Sequence, residues 1–318
     1  MKQAWNDFVR NAKNSTFLFE RAFMDYHSDR FIDYSLVIWK GDEICALLPA
    51  NYSEGIVHSH QGLSYGGFVF RNDIRLIESA HCIFKTLQFL HLENIQELRL
   101  KIVPDFYSIS PVDDVKYIFW LLNAVLYRVD TALVVKKNQQ LPLQERRKRS
   151  IKKSGNYKTE IKSGGEVEFI EFWNNILEPN LLERYNVRPV HSLSEIIKLH
   201  LSFPDNIVQY NIYCNNQIVA GTTLFLNKHV THAQYISGSS EGRSQGHLDS
   251  LFDFVMKETF ASREIFDFGI CNEDGGKKLN MGLLDRKEGF GGRTCVHNFY
   301  SIQTSSMLNL SSMINVNE

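Results

Sequence analysis

The chain has 318 residues, of which 43% are hydrophobic and 12% are aromatic. This length and composition predict an ordered globular protein of two domains, or of one large domain, and exclude an intrinsically disordered chain. Lysine and arginine number 35 against 36 acidic residues, so the net charge of −1 does not indicate a polyanionic partner for the whole surface.

The five cysteines are odd in number and far apart, and none belongs to a C-x-x-C pair. This pattern argues against structural zinc or a disulfide framework and favours a reducing compartment. The N-terminal residues lack the apolar core of a signal peptide, and no apolar run reaches the roughly 18 residues that cross a bilayer. We therefore expect a cytoplasmic protein without membrane insertion and without a metal.

Apolar periodicity divides the first half of the chain into helices and strands. The opening stretch, 4–32, carries a helical apolar stripe that breaks at Asn14-Ser15-Thr16. The elements predicted after it are a strand–turn–strand over 35–49, a strand over 55–60, a glycine-containing loop over 61–67, a helix over 74–92, a strand over 97–103 and a helix near 112–127.

The second half of the chain repeats this order of elements. The predicted elements are a hairpin over 207–225, a strand over 232–236, a glycine-containing loop over 238–246, a helix with Leu248, Leu251, Phe252, Val255 and Met256 on one face, and a strand over 265–270. The repetition predicts an α/β fold of two similar domains, 1–135 and 136–318. For the polar tail, 304–318, we expect a loosely held terminus or a short docking helix.

A strongly basic stretch lies between the two halves, Glu145-Arg146-Arg147-Lys148-Arg149-Ser150-Ile151-Lys152-Lys153. Two interpretations stay open: a solvated helix face, or a helix that faces phosphate groups, since arginine and lysine are the usual partners of phosphate oxygens. The stretch lacks the interleaved aromatic residues of a nucleic-acid module.

One carboxylate stands inside an aromatic strand, in the run Phe266-Asp267-Phe268-Gly269. A buried acid destabilises the fold unless it is paired or used. Asp267 and Glu273 are therefore candidates for accepting a proton, and Lys287 is a candidate for binding a phosphate or an oxyanion. The alternative is a buried ion pair between Asp267 and Lys287 that fixes the glycine-rich loop.

Two further patterns suggest ligand contacts. The loop that ends at Gly246 opens a predicted helix, where backbone N–H groups and Arg243 suit a pyrophosphate, although such turns also contain glycine for geometric reasons. His232 alternates with Gln234 on one strand, as His58 does with His60 on the matching strand. A strand histidine also often serves as a hydrogen-bonded structural residue, and these lack the companions of a metal site.

Three C-terminal segments together resemble the signature of FemAB-like members of the GNAT acyltransferase superfamily. They are Phe266-Asp267-Phe268-Gly269, Asn280-x-Gly282-Leu283 and Lys287-Glu288-x-Phe290-Gly291-Gly292. Within that family, other segments look most like the nucleotide-sugar N-acyltransferases of bacterial surface-polysaccharide pathways. These segments are Pro189-Val190-His191-Ser192, His232-x-Gln234-Tyr235, Gly246-x-Leu248-Asp249 and Ser59-His60-x-Gly62-x-Ser64-Tyr65-Gly66-Gly67.

The resemblance implies two tandem GNAT-like domains, each a mixed, mostly antiparallel sheet flanked by helices, with most of the active site in the C-terminal one. It also implies direct acyl transfer to an amine, without a covalent enzyme intermediate. Acyl-coenzyme A, as acetyl-CoA or a short hydroxyacyl-CoA, would bind around Ile236, Arg243, Gln245 and Gly246. The loop only approximates the pyrophosphate loop of the superfamily, Gln/Arg-x-x-Gly-x-Gly/Ala.

Our leading hypothesis is an N-acyltransferase that acylates the amino group of a nucleotide-linked sugar, such as a dTDP-3-amino-3,6-dideoxyhexose, for O-antigen or capsule synthesis. The candidate catalytic residues under this resemblance are Glu273, Asp267, His232 and Tyr235. The candidate substrate-binding residues are His58, His60, Tyr65, His191, Asn272, Asn280 and Lys287.

Two alternatives remain open. A Fem-type transferase would take its acyl group from aminoacyl-tRNA and modify a peptidoglycan precursor, but the chain lacks the long heptad insertion and the positive charge that would help to hold tRNA. A sugar-binding module on an inactive transferase scaffold is the non-enzymatic alternative. We expect no nucleic-acid partner outside the tRNA alternative.

Overall fold

The computed structural model describes residues 1–311 and 313–314. The described chain packs into two compact units: unit 1 comprises Met1–Asp130 and Val296–Glu318, and unit 2 comprises Thr131–Cys295. Packing units and repeated sequence domains need not share their limits, so the domains 1–135 and 136–318 stay a prediction. In the part of the chain that the structure describes, every helix is too short or too polar to traverse a bilayer.

The secondary structure alternates between helices and strands. The strands, β1 to β16 in chain order, are Ile32–Asp33, Leu36–Lys40, Glu43–Leu48, Asn51–Ser53, Ile56–His58, Val69–Phe70, Glu97–Lys101, Val125–Lys136, Thr159–Gly164, Ile207–Cys214, Gln217–Leu226, Val230–Gly238, Ile265–Ile270, Asn272–Glu273, Lys278–Leu279 and Arg293–Gln303. The α-helices, α1 to α11, are Lys2–Asn11, Arg21–Met24, Leu76–Leu92, Asp113–Leu121, Glu145–Ser154, Glu166–Phe172, Glu178–Tyr185, Leu193–Ser202, Ser240–Ser244, His247–Ser262 and Met281–Gly289. Short 3-10 helices lie at Phe17–Phe19, Asp25–His27, Asp105–Tyr107, Lys137–Gln139, Asp274–Gly276 and Thr304–Leu310, and a π-helical turn at Trp173–Leu177.

Unit 1 contains a mixed sheet in the order β1-β4-β5-β7-β16 and a small antiparallel sheet in the order β2-β3-β6. Strands β5 and β7 run parallel, whereas β7 and β16 run antiparallel. Helix α3 buries its apolar face, including Phe84 and Leu87, in the same core as Leu98 and Leu100 of β7.

Strand β7 shows how the sequence builds two different faces in unit 1. Its residues alternate, so that Leu98 and Leu100 point into the core while Arg99 and Lys101 lie on the opposite face. The register of the sheet then sets His58 beside Arg99 and Phe299 beside Lys101. Cationic and aromatic side chains therefore gather on one face of the sheet.

Unit 2 contains a mixed sheet in the order β8-β13-β12-β11-β10-β9, to which β8 contributes residues 132–136. All neighbours in it are antiparallel except β12 and β13, which are parallel. The predicted apolar face of α10 is confirmed, because its five residues are buried in one core with the aromatic residues of β13. The predicted α/β fold class, with mixed sheets flanked by helices, is also confirmed.

The predicted helix near 112–127 is wrong in its second half. Helix α4 ends at Leu121, Asn123 adopts a left-handed conformation with φ of 54°, and β8 begins at Val125. Asparagine tolerates that conformation better than most residues, and the β-branched and aromatic residues after it favour a strand.

Of the two alternatives predicted for the tail, the structure confirms the short docking helix over the described residues Thr304–Leu310, which form a 3-10 helix packed on unit 1. Thr304 Oγ1 donates to the Ile95 carbonyl at 2.8 Å, and Leu310 is fully buried in the core of unit 1. Residues 312 and 315–318 of the predicted tail lie outside the described residues.

Candidate active site

The central feature of unit 2 is a carboxylate–imidazole pair on the two parallel strands. The register of β12 and β13 sets His232 opposite Asp267, and His232 Nδ1 lies 2.9 Å from Asp267 Oδ2. The Asp267 side chain is 0% exposed, whereas that of His232 is 17% exposed. An ionised carboxylate only accepts hydrogen bonds, so Nδ1 is the nitrogen that donates in this pair and Nε2 is the nitrogen left for another partner.

Backbone structure holds this pair in place. Asp267 Oδ1 accepts from the Gly269 N–H at 2.7 Å, and Gly269 has φ of +74°, a conformation that glycine adopts without strain. The Lys287 ammonium donates to the carbonyls of Gly269 and Ile270 at 3.0 and 2.8 Å. Lys287 therefore braces the turn, and burial lowers its pKa.

The two parallel strands separate directly after the pair. In the described chain, β12 pairs with β13 only over residues 230–232, although β12 continues to Gly238. Against β11, the register shifts at Gln234, which lies in a β-bulge between the paired residues Ala233 and Tyr235. The imidazole of His232 thus lies at the point where the pairing between the two strands ends.

A second polar pair lies further along β12. The Tyr235 hydroxyl accepts from the His191 N–H at 3.0 Å and shares a 2.6 Å hydrogen bond with His191 Nδ1. Trp173 packs edge-on against Tyr235 and donates to the His191 carbonyl. The Phe225 ring lies 6.4 Å from the ring of His191 and 6.5 Å from that of His232. Three predicted residues are therefore linked, His191 and His232 through the ring of Phe225 and Tyr235 through its hydrogen bonds to His191.

Glu273 lies in a separate polar group. Its carboxylate accepts from Asn280 Nδ2 at 2.8 Å and pairs with Lys278 at 3.0 Å. These hydrogen bonds, first that from Lys278, hold the pKa of Glu273 below its usual range. Asn280 also caps α11 through the Leu283 N–H. A paired carboxylate with a lowered pKa is a weaker base than an unpaired one.

The Asn272 side chain forms hydrogen bonds that fix neighbouring backbone segments. Its Oδ1 accepts from the N–H and the hydroxyl of Thr131, and its Nδ2 donates to the Gly276 carbonyl at 3.0 Å. The structure therefore gives Asn272 a clear role in fixing the β14–β15 hairpin.

The residues predicted to bind the acyl donor already contact other residues of unit 2. Ile236 is part of β12, where it pairs with Thr222. The Arg243 guanidinium donates to the Gly238 carbonyl and to Asn180 Oδ1, and burial lowers its pKa. Gln245 Oε1 accepts from the Tyr157 hydroxyl at 2.7 Å.

Gly246 has a packing role of its own. Its φ is +84°, and a Cβ atom at this position would lie 2.0 Å from the Ser150 carbonyl of α5. The glycine thus permits a close approach of α5 to the start of α10. The roles of these residues toward a donor stay predictions.

The basic stretch forms α5, and its arginines differ in exposure. Arg147, 13% exposed, pairs with the buried Asp249 of α10, so it is neither solvated nor available to phosphate. Arg146 pairs with Asp285 at the surface, where the two side chains are 39% and 50% exposed, and for it both interpretations stay open.

Unit 1 contains a separate pocket of about 330 Å³ on the face of β7 described above. Its lining residues are cationic, aromatic or polar, namely His58, Ser59, His60, Gln61, Arg99, Lys101, Tyr127, Arg128 and Phe299. His58 and His60 were predicted as ligand contacts. Tyr65 instead packs in an aromatic cluster with Phe19 and Tyr107.

The cations of this pocket differ in how they are neutralised. Arg99 pairs with Glu97 at 2.7 Å, and Arg128 binds both oxygens of the buried Asp130 at 2.9 and 2.7 Å. Among the described residues, no acceptor pairs with the Lys101 ammonium, which lies 5.3 Å from the centre of the Phe299 ring. Burial lowers the pKa of Lys101 to about 8.

The histidines of the pocket are neutral near pH 7. Burial, and next the neighbouring His27, lower the pKa of His60 to about 4. Burial and next the charge of Arg99 also lower the pKa of His58. Arg99, Lys101 and Arg128 were not predicted as site residues. The polar alternation of Glu97-x-Arg99-x-Lys101 was the only signal for the first two, and a solvent-facing strand shows the same pattern.

The architecture described above, with mixed sheets flanked by helices in two units, is a Fem-type fold. No protein-family model matches the sequence, and no curated protein gives a significant match. FemX superposes with a TM-score of 0.66 at 11% identity, covering 98% of each chain. The C-terminal domain (DUF2156) of an Agrobacterium fabrum protein assigned as a lysylphosphatidylglycerol synthetase superposes with a TM-score of 0.61 at 10% identity, covering 98% of this chain and 94% of the other.

A third structure, L-PGS from Bacillus licheniformis, gives a TM-score of 0.57 at 9% identity, covering 88% of this chain and 89% of the other. At such low identity these likenesses concern the fold alone. The predicted FemAB-like resemblance thus agrees with the structure at the level of fold.

Proposed function

We propose that this protein is an N-acyltransferase in which His232 is the general base and Asp267 positions it. The observation that carries the proposal is the 2.9 Å hydrogen bond between His232 Nδ1 and the buried Asp267 carboxylate, at the point where β12 and β13 separate. An imidazole that is held by a carboxylate and open on its other nitrogen is a common arrangement for proton transfer near neutral pH.

In the proposed step, a neutral amine attacks the thioester carbonyl of the donor. A C–N bond forms, the C–S bond breaks, the amine proton passes to His232 Nε2 and the thiolate leaves. The Asp267 carboxylate, which is already oriented by the Gly269 N–H, stabilises the imidazolium that results. Tyr235, with its partner His191, is our candidate for orienting the acceptor or for returning a proton to the thiolate.

This assignment changes the division of roles among the predicted catalytic residues. Glu273 is paired with Lys278 and Asn280, and its pKa is lowered, so it is a poorer proton acceptor than the imidazole. We therefore assign the base to His232 and leave Glu273 a positioning role in the β14–β15 hairpin.

We propose acyl-coenzyme A, as acetyl-CoA or a short hydroxyacyl-CoA, as the donor. Its support is the strand separation beyond His232, which frees the backbone of β12 around Ile236 for contact with an extended ligand. The contacts of Arg243 and Gln245 within unit 2 mean that their side chains would have to exchange partners to reach the donor.

For the acceptor we propose a nucleotide-linked amino sugar, such as a dTDP-3-amino-3,6-dideoxyhexose of a surface-polysaccharide pathway in the cytoplasm. The unit 1 pocket supports this class, because it combines an ammonium that lacks an acidic partner, Lys101, with the aromatic side chains Tyr127 and Phe299. A diphosphate needs cations, and a planar base packs well on aromatic rings. The volume of about 330 Å³ is at the lower end of small-molecule sites.

Aminoacyl transfer is the second candidate. It is favoured by the fold shared with FemX and with a protein assigned as a lysylphosphatidylglycerol synthetase. The net charge of −1 gives no support for binding tRNA over a wide surface.

Free thiol release distinguishes these candidates. The full chain is incubated with acetyl-CoA and a dTDP-amino sugar, and the acylated sugar is identified by mass spectrometry. We expect thiol release that requires the amine and that the His232→Gln variant loses. Transfer from aminoacyl-tRNA but not from acyl-CoA would establish the second candidate, and ligand binding without transfer from either donor would leave a sugar-binding module.

A further inference from the structure

We propose that Cys214, Glu241 and His247 of unit 2 bind a zinc ion. Cys214 ends β10, Glu241 lies in α9 and His247 is the first residue of α10. One ligand atom of each side chain, the thiol sulfur, a carboxylate oxygen and an imidazole nitrogen, lies within 4.8 Å of the other two. None of the three residues has a role in the proposed transfer reaction.

The imidazole of His247 is held so that one of its ring nitrogens can bind a metal ion. The side chain is 0% exposed, and its Nδ1 shares a 2.8 Å hydrogen bond with Ser154 Oγ. Within the described residues its Nε2 is buried and has no hydrogen-bond partner. A buried ring nitrogen without a partner is unfavourable, and a cation in front of it would remove that penalty.

Ser154 has the position of a residue that orients a metal ligand. Histidines that bind metals usually use the other ring nitrogen to donate to an oxygen, which fixes the tautomer and directs the free nitrogen at the ion. Here the Ser154 hydroxyl is the oxygen, and Ser154 is itself buried in α5. Tyr157 packs edge-on against the same ring and restricts its rotation further.

Cys214 and Glu241 supply donors of two other kinds. The Cys214 side chain is 4% exposed, so its thiol is protected from solvent at the inner side of the cluster. Glu241 is exposed, so its carboxylate lies at the outer side and can rotate toward an ion without disturbing the core. The cluster thus has a closed end and an accessible end.

This set of donors suits zinc better than other common ions. Thiolate, imidazole and carboxylate together match a borderline ion of no fixed geometric preference, whereas calcium and magnesium take oxygen ligands. Tetrahedral zinc distances place ligand atoms about 3.3–3.6 Å apart. The three atoms, which lie within 4.8 Å of one another, therefore need to approach by roughly 1.5 Å at most. The remaining position would be taken by water.

A bound ion would act on a segment that matters for the proposed donor site. Glu241 and His247 flank Arg243, Gln245 and Gly246, so zinc would tie both ends of this segment to the end of β10. This consequence rests on the proposed function, but the metal site itself does not.

Cobalt titration tests the site directly, because Co²⁺ takes the same ligands and reports thiolate bonding by absorption. The full chain is titrated with Co²⁺ alone and then with Zn²⁺ as a competitor. We expect one equivalent of Co²⁺ with a thiolate charge-transfer band, which Zn²⁺ abolishes. The Cys214→Ser variant should lose the band, and Ser154→Ala should weaken binding by about 10- to 100-fold.

Two variants distinguish a loss of metal binding from a loss of folding. Glu241→Gln changes an exposed side chain, so it should fold normally and bind Co²⁺ more weakly. Cys295→Ser is the matched control, since Cys295 lies in β16 outside the cluster, and it should bind as the unchanged chain does. Absence of the band, or a band that Cys214→Ser retains, would overturn the proposal, whether or not the chain transfers acyl groups.

Discussion

His232 and Asp267 occupy the last paired position of the two parallel strands in unit 2, with Nδ1 2.9 Å from Oδ2. The parallel pairing matters, because it brings together two residues 35 positions apart in the chain. It also buries the carboxylate fully while its partner stays in reach of solvent. This asymmetry places the imidazole at the surface of the protein while the carboxylate that holds it is fully buried.

Replacing Asp267 tests the hydrogen-bonded pair of His232 and Asp267. Asp267→Asn keeps the shape of the side chain but removes the charge that stabilises the imidazolium and selects the tautomer. We expect kcat for acyl transfer to fall by about 10²- to 10⁴-fold. The unfolding midpoint, measured by circular dichroism, shows whether the variant is folded. Full activity in a folded Asp267→Asn variant would rule out the proposed role of Asp267 in positioning the base.

Glu273→Gln is the matched comparison. The amide keeps an acceptor for Asn280 but loses the ion pair with Lys278, which is partly exposed to solvent. Such pairs contribute little, so we expect kcat to change by less than about fivefold. Steady-state kinetics under the same conditions measure both variants. A large loss with Glu273→Gln and none with Asp267→Asn would move the base to Glu273.

The unit 1 pocket predicts a dependence of ligand binding on pH. Lys101 faces Arg128 and Asp130 of β8, Arg99 of its own strand, His58 of β5 and the Phe299 ring. Its pKa is lowered to about 8, so the cation is present below that pH and is lost above it. The affinity for a nucleoside diphosphate should therefore be greatest at about pH 7 and fall by up to tenfold per pH unit above about 8, the pKa of Lys101 in the ligand-free protein.

Calorimetric titrations at several pH values measure this dependence. The pKa of His60 is about 4 and burial also lowers that of His58, so neither histidine should change charge over this range. The Lys101→Met variant should bind weakly at every pH and show a flat profile. Lys85→Met, which changes an exposed lysine of α3 outside the pocket, is the control and should keep the full profile. A Lys101→Met variant with an unchanged profile would contradict the assignment.

Local features of this protein could be predicted from its sequence, whereas contacts between distant segments could not. The apolar face of α10 could be read because its spacing depends on one helix alone. The partnership of His232 with Asp267 could not, although both residues were selected, because it depends on the register between distant strands. Lys101 was missed for a related reason: its strand alternation does not reveal that Phe299 and Arg128 cover that face.

The buried hydrogen bonds of Lys287 predict that this residue stabilises the fold. Its buried ammonium donates to the carbonyls of Gly269 and Ile270, the turn that also supplies the N–H to Asp267. Lys287→Met leaves two buried carbonyls without this donor, and we expect the free energy of unfolding to fall by about 2–4 kcal/mol. Denaturant unfolding measures the change. Lys277→Met, on an exposed residue, should cost less than about 0.5 kcal/mol.

Alanine substitutions at Gly246 and Gly275 separate the effect of close packing from the effect of a positive φ. Gly246→Ala combines a positive φ of +84° with a Cβ atom 2.0 Å from the Ser150 carbonyl, so α5 would have to move away from α10. Gly275→Ala has a similar φ of +62° but nothing within 4 Å of its Cβ atom. We expect Gly275→Ala to cost about 1 kcal/mol and Gly246→Ala about 3 kcal/mol or more, measured by denaturant unfolding. Equal losses in the two variants would show that α5 does not pack closely on the start of α10. Glycine would then be needed at position 246 for its backbone conformation alone.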